Sequence, residues 1–301
     1  MSRALSLRDA INEDKILIAP GGSDGLSALL IETAGFPAIY LSGASIAYTR
    51  FGYPDIGLVS MAEVADALSA MRERVNIPII VDADTGFGNA LNVQRTVKLF
   101  ERLGASAIQL EDQQLPKRCG HLTGKSLVSK EEMIGKLHAA LDSRADPATL
   151  IIARTDAIAV EGLDSALQRA HAYVDAGADV LFVEAPQDLT QMKRICSELG
   201  SRIPLLANMV EGGNTPVSGA DDLQQMGYNI VIFPGALVRA SVHAGKRLLE
   251  TLMNNGSTNE MAAHMLDFDQ LNRLLGTKNI LTKGEAYADR NFSEKAKNGD
   301  P

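Results

Sequence analysis

The sequence predicts an α/β fold in which parallel strands close into a (β/α)8 TIM barrel. Three observations carry this prediction. Short, nearly continuous apolar runs recur along most of the chain, as expected for strands covered on both faces. Segments with helical spacing lie between most of these runs, and such alternation indicates a parallel sheet. Several helical segments also end alike, with a glycine two or three residues before the next strand. About eight such units match a closed barrel.

Each apolar run is assigned to one strand. The predicted strands are 16–21, 38–43, 78–86, 107–112, 150–156, 180–185, 204–209 and 231–235. Helical spacing is clearest over 90–103, 130–141 and 163–176. An open, doubly wound sheet is the main alternative, but it usually carries a G-x-G-x-x-G turn after its first strand. The APGGSDG segment that begins at Ala19 has glycines in a different order.

Two helical patterns follow the last predicted strand. Leu237–Leu252 is long enough to be the eighth barrel helix, whereas Asn259–Leu275 lies beyond the barrel and has a strongly apolar face. That face needs to be buried on its own barrel or on a partner subunit. We therefore divide the chain into a catalytic barrel, 1–255, and a C-terminal helical extension, 256–301, with a frayed tail from Ala286.

Composition limits the classes of partner. Lys and Arg number 29 and Asp and Glu 37, which gives a net charge of −8 and no evident footprint for nucleic acid. No apolar run approaches the roughly 18 residues that a membrane-spanning helix needs. The N-terminal segment turns acidic too soon for a signal peptide. Two cysteines cannot form a disulfide framework, so we expect a cytoplasmic protein.

The strongest local feature is VDADTGFG, which begins at Val81. Alternate side chains of a strand share a face, so Asp82 and Asp84 are expected to point the same way, with Glu111 at the next strand end. Carboxylates this close favour a bound cation, and hard oxygen ligands suit Mg²⁺. The alternative is a strand end whose aspartates cap the next helix.

A polar, glycine-punctuated loop, 111–127, follows the fourth predicted strand. Its Cys119 lies between Lys117, Arg118 and His121, and cationic neighbours are expected to lower the pKa of the thiol towards neutrality. Such a thiol would exchange a proton efficiently, and glycines would let the loop close over a substrate. The alternative is a surface loop with an incidental cysteine. Cys196 follows helical spacing and is read as structural.

Other strand ends supply candidates for substrate binding. Arg154 could clamp a carboxylate through its planar fork, or pair with Glu184, or do both. Asn208 could hydrogen-bond a substrate carboxylate, and residues 210–216, which include Thr215, form a second candidate loop. The phosphate-binding pattern G-x-x-x-x-G-K-[ST] is absent from the sequence.

At KRCGH, which begins at Lys117, the sequence resembles the isocitrate lyase/phosphoenolpyruvate mutase superfamily, on the branch with 2-methylisocitrate lyase. The resemblance covers roughly residues 15–250 and rests on motifs that occur in the family's order. These are YLSG, PDIG, DADTGFGN, LEDQ, KRCGH, ARTDA and LANM. KRCGH after LEDQ is the most specific of them.

The resemblance implies Mg²⁺, with Mn²⁺ as a possible substitute, held mainly through Asp82, with Asp84 and Glu111 acting through water. It implies that Cys119 is the acid on a mobile loop and that Asp55 lies near the metal shell. The remaining predicted catalytic residues are Lys117, His121, Arg154 and, as a hypothetical base, Tyr40. The predicted substrate-binding residues are Ser42, Gly43, Ala44, Asp55, Gly120, Arg154, Glu184, Asn208, Thr215, Pro234 and Arg239. A homotetramer, a dimer of dimers with swapped C-terminal helices, is also implied.

The resemblance thus predicts a carbon–carbon lyase that cleaves a 2-hydroxy di- or tricarboxylic acid to an α-keto acid and a second carboxylic acid. Gln109 stands where methylisocitrate lyases usually have histidine, and VEGG at 210–213 looks more like dimethylmalate or alkylmalate lyases and like carboxyphosphonoenolpyruvate mutase. Pro234 and Arg239 look like the methylisocitrate group, so 2-methylisocitrate and substituted malates both stay open. The alternatives are a phosphonomutase, an oxaloacetate decarboxylase or hydrolase, and a non-catalytic protein, either a dicarboxylate-binding barrel or a structural subunit.

Overall fold

The computed structural model describes residues 2–216 and 218–297. Within these ranges, eight parallel strands close into a barrel in chain order, and the eighth strand pairs with the first. They are β1 (Leu17–Gly22), β2 (Ile39–Leu41), β3 (Ile79–Asp82), β4 (Ala107–Glu111), β5 (Leu150–Thr155), β6 (Val180–Val183), β7 (Leu205–Asn208) and β8 (Ile230–Phe233). The closed order confirms the predicted barrel and excludes the doubly wound sheet.

Helices alternate with the strands. They are α1 (Arg3–Ile11), α2 (Gly25–Thr33), α3 (Gly43–Ile46), α4 (Met61–Arg74), α5 (Ala90–Arg102), α6 (Lys130–Ser143), α7 (Ile158–Glu161), α8 (Leu163–Asp175), α9 (Leu189–Leu199), α10 (Ala220–Met226), α11 (Ala236–Asn255), α12 (Phe268–Leu275) and α13 (Thr277–Lys297). The glycines predicted to end four of these segments have φ of 87° at Gly35, 91° at Gly104, 95° at Gly177 and 112° at Gly227. This left-handed conformation is the one for which glycine is favoured.

Strand side chains alternate between two cores. Ile39 and Val81 belong to the larger core, which includes the apolar faces of the surrounding helices, whereas Tyr40 and Ile80 belong to the core inside the barrel. Apolar side chains of α1 join the inner core beside residues at the strand starts, so α1 closes the amino-terminal end of the barrel. The same inward register therefore leads to polar residues at the opposite end.

The chain divides into two compact units after Ala240, within α11. The predicted domain boundary at residue 255 coincides with the end of α11 and stays a prediction. No helix in the described ranges is both long and apolar enough to cross a membrane.

The C-terminal segment departs from the predicted helix pattern in one place. The predicted helix 259–275 is a 3₁₀ turn, Asn259–His264, followed by α12, because Asp267 starts a new helix through a capping box with Gln270. The predicted frayed tail from Ala286 stays a prediction: α13 extends to Lys297, and residues 298–301 lie outside the described ranges.

Candidate active site

One pocket at the carboxyl-terminal end of the barrel brings most of the predicted site residues together. Those that line it are Tyr40, Ser42, Ala44, Asp55, Asp82, Lys117, Cys119, Gly120, His121, Arg154, Glu184, Asn208, Pro234 and Arg239. Tyr48, Val210, Ile232 and Gly235 also line it and were not predicted. Thr215 is buried but is not among the lining residues, so the structure does not bring it to the pocket wall.

Three buried carboxylates form an acidic cluster beside this pocket. One oxygen each from Asp82, Asp84 and Glu111 lies within 4.8 Å of the others. The predicted grouping is right, but its reason is wrong for Asp84. Only Asp82 belongs to β3, and Asp84 lies in the turn that follows, at a φ of 46°. The turn, rather than strand alternation, brings the second aspartate to the cluster.

The cations near the acidic cluster do not fully offset the burial of its carboxylates. Burial raises the pKa of Asp84 to about 7 although Lys117 lies 2.8 Å away, and burial also raises the pKa of Glu111 despite the nearby Arg154. Lys117 is shared, because its Nζ also lies 2.6 Å from Asp55. Glu111 Oε1 is buried and has no hydrogen-bond partner among the described residues. Hard oxygen donors, close like charges and an unpartnered oxygen together fit a divalent cation such as Mg²⁺.

Asp82 is oriented by three donors. The backbone N–H of Gly43 donates to Oδ2 at 3.4 Å, and Oδ1 accepts from the backbone of Asp84 at 3.2 Å and from Gln109 Nε2 at 3.3 Å. Sequence reasoning noted Gln109 only as a departure from the family pattern. Its inward position two residues before Glu111 on β4 is the signal that would have placed it in the site.

The environment of Tyr40 gives no support to its predicted role as a base. Its hydroxyl donates to Gln109 Oε1 at 3.0 Å. Burial first, and then the charge of Asp82, raises the pKa of Tyr40 well above its ordinary value. A phenol of this kind keeps its proton at neutral pH, whereas a general base must be deprotonated before it can accept a proton from the substrate.

The predicted lowering of the Cys119 pKa is wrong. Burial raises the pKa of this thiol, and Asp55 and Glu184 add to the rise. Of its three cationic neighbours in sequence, Lys117 binds the aspartates and the exposed Arg118 donates to the carbonyl of Thr123. A hydrogen bond with the backbone of His121 lowers the pKa of the thiol, but burial raises it more. A thiol with a raised pKa stays protonated at neutral pH, which suits a proton donor.

Arg154 lies near Glu184, as predicted, whereas its role as a clamp for a substrate carboxylate stays a prediction. Its guanidinium lines the pocket and makes two hydrogen bonds to Asp156, with Nε to Oδ2 at 2.9 Å and Nη2 to Oδ1 at 3.0 Å. Glu111 lies 3.3 Å and Glu184 3.6 Å from the same group. Asp156 was not predicted as a site residue, although its place at the end of β5 is the same signal that identified Arg154.

Two loops meet over the pocket. The backbone N–H of Asn214 donates to His121 Nδ1 at 3.0 Å, and Asn214 Nδ2 donates to the His121 carbonyl at 3.4 Å. Asn208 Nδ2 donates to Glu184 Oε1 at 3.1 Å, and Asn208 Oδ1 is buried with no hydrogen-bond partner in the described part of the chain. The loop 111–127 thus closes against the second predicted loop, 210–216.

Comparison with known proteins finds relatives that match most of the chain. The family model described as phosphoenolpyruvate phosphomutase matches residues 7–253. The chain is 43% identical to the 2,3-dimethylmalate lyase of Eubacterium barkeri over 290 residues, which cover 96% of this chain and 99% of the relative. It is 45% identical to the 2-methylisocitrate lyase of Aeropyrum pernix over 272 residues, 90% of this chain and 87% of the relative.

Solved structures give the same fold. Oxaloacetate acetylhydrolase in complex with the inhibitor 3,3-difluorooxalacetate superimposes with a TM-score of 0.90 at 31% identity, covering 95% of this chain and 97% of that one. Phosphonopyruvate hydrolase in complex with oxalate and Mg²⁺ gives a TM-score of 0.86 at 31% identity, covering 96% of this chain and 100% of that one.

Proposed function

The chain belongs to the phosphoenolpyruvate phosphomutase family, and on that premise we propose that it is a magnesium-dependent carbon–carbon lyase. Its substrate class is a 2-hydroxy di- or tricarboxylic acid of the 2,3-dimethylmalate, alkylmalate or 2-methylisocitrate type. The products are an α-keto acid and a second carboxylic acid. Relatives that carry lyase names match nearly the full length of the chain and support this assignment.

The observation that carries the proposal is the placement of a protonated thiol in the same pocket as the acidic cluster. Cys119 and Asp82 both line this pocket, and burial keeps the thiol in its acid form. A carbon–carbon lyase needs such an acid, because the carbon that leaves takes the electron pair of the broken bond. Simple decarboxylation of a β-keto acid does not require a protein acid at that position.

The residues of the pocket and of the acidic cluster would have separate roles in the reaction. Asp82, Asp84 and Glu111 would hold Mg²⁺, which supplies stabilisation of negative charge on substrate oxygens. A general base takes the 2-hydroxyl proton and the carbonyl of the keto acid forms as the C2–C3 bond breaks, so that C3 receives the electron pair. Cys119 then donates its Sγ proton to C3. The proton held by the base restores the thiol before the next turnover, so one proton moves overall from the hydroxyl oxygen to C3. Arg154 would orient a substrate carboxylate, and the closed loop would exclude water.

The test is a release assay for α-keto acid with a panel of substrates. The panel contains 2-methylisocitrate, isocitrate, 2,3-dimethylmalate, simple alkylmalates and oxaloacetate, each with Mg²⁺, with Mn²⁺ and with EDTA. We expect metal-dependent turnover of at least one 2-hydroxy acid. Cys119→Ser should lower that turnover by about 10²–10⁴-fold, the usual contribution of a positioned acid. The matched control is Cys196→Ser, at a buried thiol that is not among the pocket-lining residues.

A phosphonomutase is the second candidate, because the matching family model carries that description. Carbon–phosphorus substrates added to the panel distinguish it. Turnover of these compounds alone, unaffected by Cys119→Ser, would replace the lyase proposal. Turnover of oxaloacetate alone, with Cys119→Ser fully active, would indicate a decarboxylase or hydrolase instead.

We further propose that the enzyme is a cytoplasmic homotetramer in which the C-terminal helices are swapped between subunits. Two free cysteines support a reducing compartment. The exposed apolar side chains of the C-terminal unit, among them Phe268, Leu271 and Ile280, support burial against other subunits.

A further inference from the structure

Lys125 is a buried cation of the loop 111–127 to which the proposed reaction assigns no role. Its side chain is 1% exposed. Its Nζ donates to the carbonyl oxygen of Gly120, the residue that directly follows Cys119, and it donates to Asp156 Oδ1 at 3.2 Å. A buried ammonium group is retained at low cost only where it is paired, and both partners here are buried as well. Lys125 therefore connects the thiol-bearing part of the loop to the end of β5.

Asp156 is a rigid anchor for this contact. Its backbone N–H donates to Asp112 Oδ1 at 2.9 Å, which fixes the residue just beyond β5. Its Oδ1 accepts from Arg154 as well as from Lys125, and Oδ2 also accepts from Arg154. One carboxylate thus binds both the loop and the guanidinium that lines the pocket.

Gly120 lies too close to the pocket wall to carry a side chain. A Cβ atom built on Gly120 would overlap the carboxyl group of Glu184, so the loop backbone packs directly against the pocket wall. At the loop base, Gln113 pairs with Leu127 in an antiparallel bridge. Between the base and the pocket wall, Lys125 provides a buried, charged contact back to a fixed strand end.

We propose that Lys125 is a positioning residue that holds the Cys119 segment closed over the pocket through Gly120 and Asp156. Asp156 also binds Arg154, so the contact that holds the loop closed shares one carboxylate with the guanidinium proposed to orient the substrate. The effect on turnover rests on the proposed lyase function, but the effect on loop position does not.

The test measures loop position without any substrate. Alkylation of Cys119 and Cys196 by iodoacetamide is followed by peptide mass spectrometry in the full-length wild type, Lys125→Met, Lys125→Gln and Lys130→Met. Lys130 is the matched control because it is close in sequence but its side chain is 44% exposed. We expect Cys119 to react about ten-fold faster or more in Lys125→Met, because the segment opens more often. Lys130→Met should behave as wild type.

Cys196 reports general loosening, because it is buried in the larger core. Equal acceleration at both cysteines, or an unchanged rate at Cys119 in a folded Lys125→Met, overturns the proposal. If Lys125→Met does not fold, Lys125→Gln decides the question by the same two rates. With a substrate found in the panel, Lys125→Met should lower kcat by about 10²-fold, the cost of a misplaced catalytic group, with a smaller change in KM. A wild type without lyase turnover would remove the proposed function while the alkylation rates still judge the role of Lys125.

Discussion

Asp82 is the carboxylate of the acidic cluster that receives the most hydrogen bonds, from Gly43, Asp84 and Gln109. These donors hold its two oxygens in fixed directions, and directional oxygen ligands are what Mg²⁺ requires. Asp84 and Glu111 depend instead on neighbouring cations, which only partly offset their burial. Among the three carboxylates, loss of charge at Asp82 should therefore lower the affinity for the cation most.

We expect Asp82→Asn to abolish detectable Mg²⁺ binding and to lower keto-acid release by about 10³-fold or more, because a neutral amide attracts the cation far less than a carboxylate. Isothermal titration with MgCl₂ and the release assay measure the two effects. Asp66→Asn is the control, since Asp66 is exposed and pairs with Arg50. Wild-type Mg²⁺ affinity in Asp82→Asn would contradict the assignment of the cluster as a metal site.

Cys119 should titrate above the ordinary range of a cysteine thiol. Burial disfavours the thiolate and raises the pKa, so the thiolate fraction is small at neutral pH and grows as the pH rises through the raised value. The rate of alkylation of Cys119 by iodoacetamide should accordingly increase with pH, with a midpoint above that of an unstructured cysteine peptide measured alongside. A midpoint near neutrality would restore the lowered pKa that the sequence predicted.

At the scale of elements, the period of two along each strand explains why so much of the site could be predicted. Positions that face the inner core at the start of a strand face the pocket at its end, as in Ile80 and Asp82 on β3 and Ile152 and Arg154 on β5. Polar residues that end an apolar run are visible in the sequence. The direction of a loop side chain is not, and the predicted environment of Cys119 was wrong for that reason.

Two glycines, one in the loop 111–127 and one in α6, differ in whether there is space for a side chain. In the loop, a Cβ on Gly120 would meet Glu184, whereas in α6 a Cβ on the exposed Gly135 would meet nothing within 4 Å. We expect Gly135→Ala to raise the free energy of unfolding by about 1 kcal/mol with activity unchanged, since alanine favours the helix.

Gly120→Ala should lower turnover by displacing the loop. Urea unfolding and the release assay separate the two outcomes, and full activity in Gly120→Ala would refute the close fit of the loop.

At the scale of the whole molecule, the alternation of strands and helices predicted a parallel sheet, and the count of about eight units favoured the closed barrel over the open, doubly wound sheet. The C-terminal unit was harder to predict. Its apolar spacing suggested one helix over 259–275, but the local capping of Asp267 by Gln270 divides it. Local hydrogen bonds of this kind compete with helical periodicity, and the apolar pattern alone does not show which prevails.

Phe268 and Leu271, one turn apart on α12, are 82% and 41% exposed. A water-facing apolar pair costs free energy that burial in an oligomer would recover. We therefore expect the wild type to have the mass of a tetramer in light scattering and the double variant Phe268→Ser/Leu271→Ser to have a smaller mass at the same concentration. Asp269→Ser, on the same helix, is the polar control and should remain a tetramer. A double variant that keeps the tetramer mass would show that this face does not hold the subunits together, and a monomeric wild type would remove the proposed assembly.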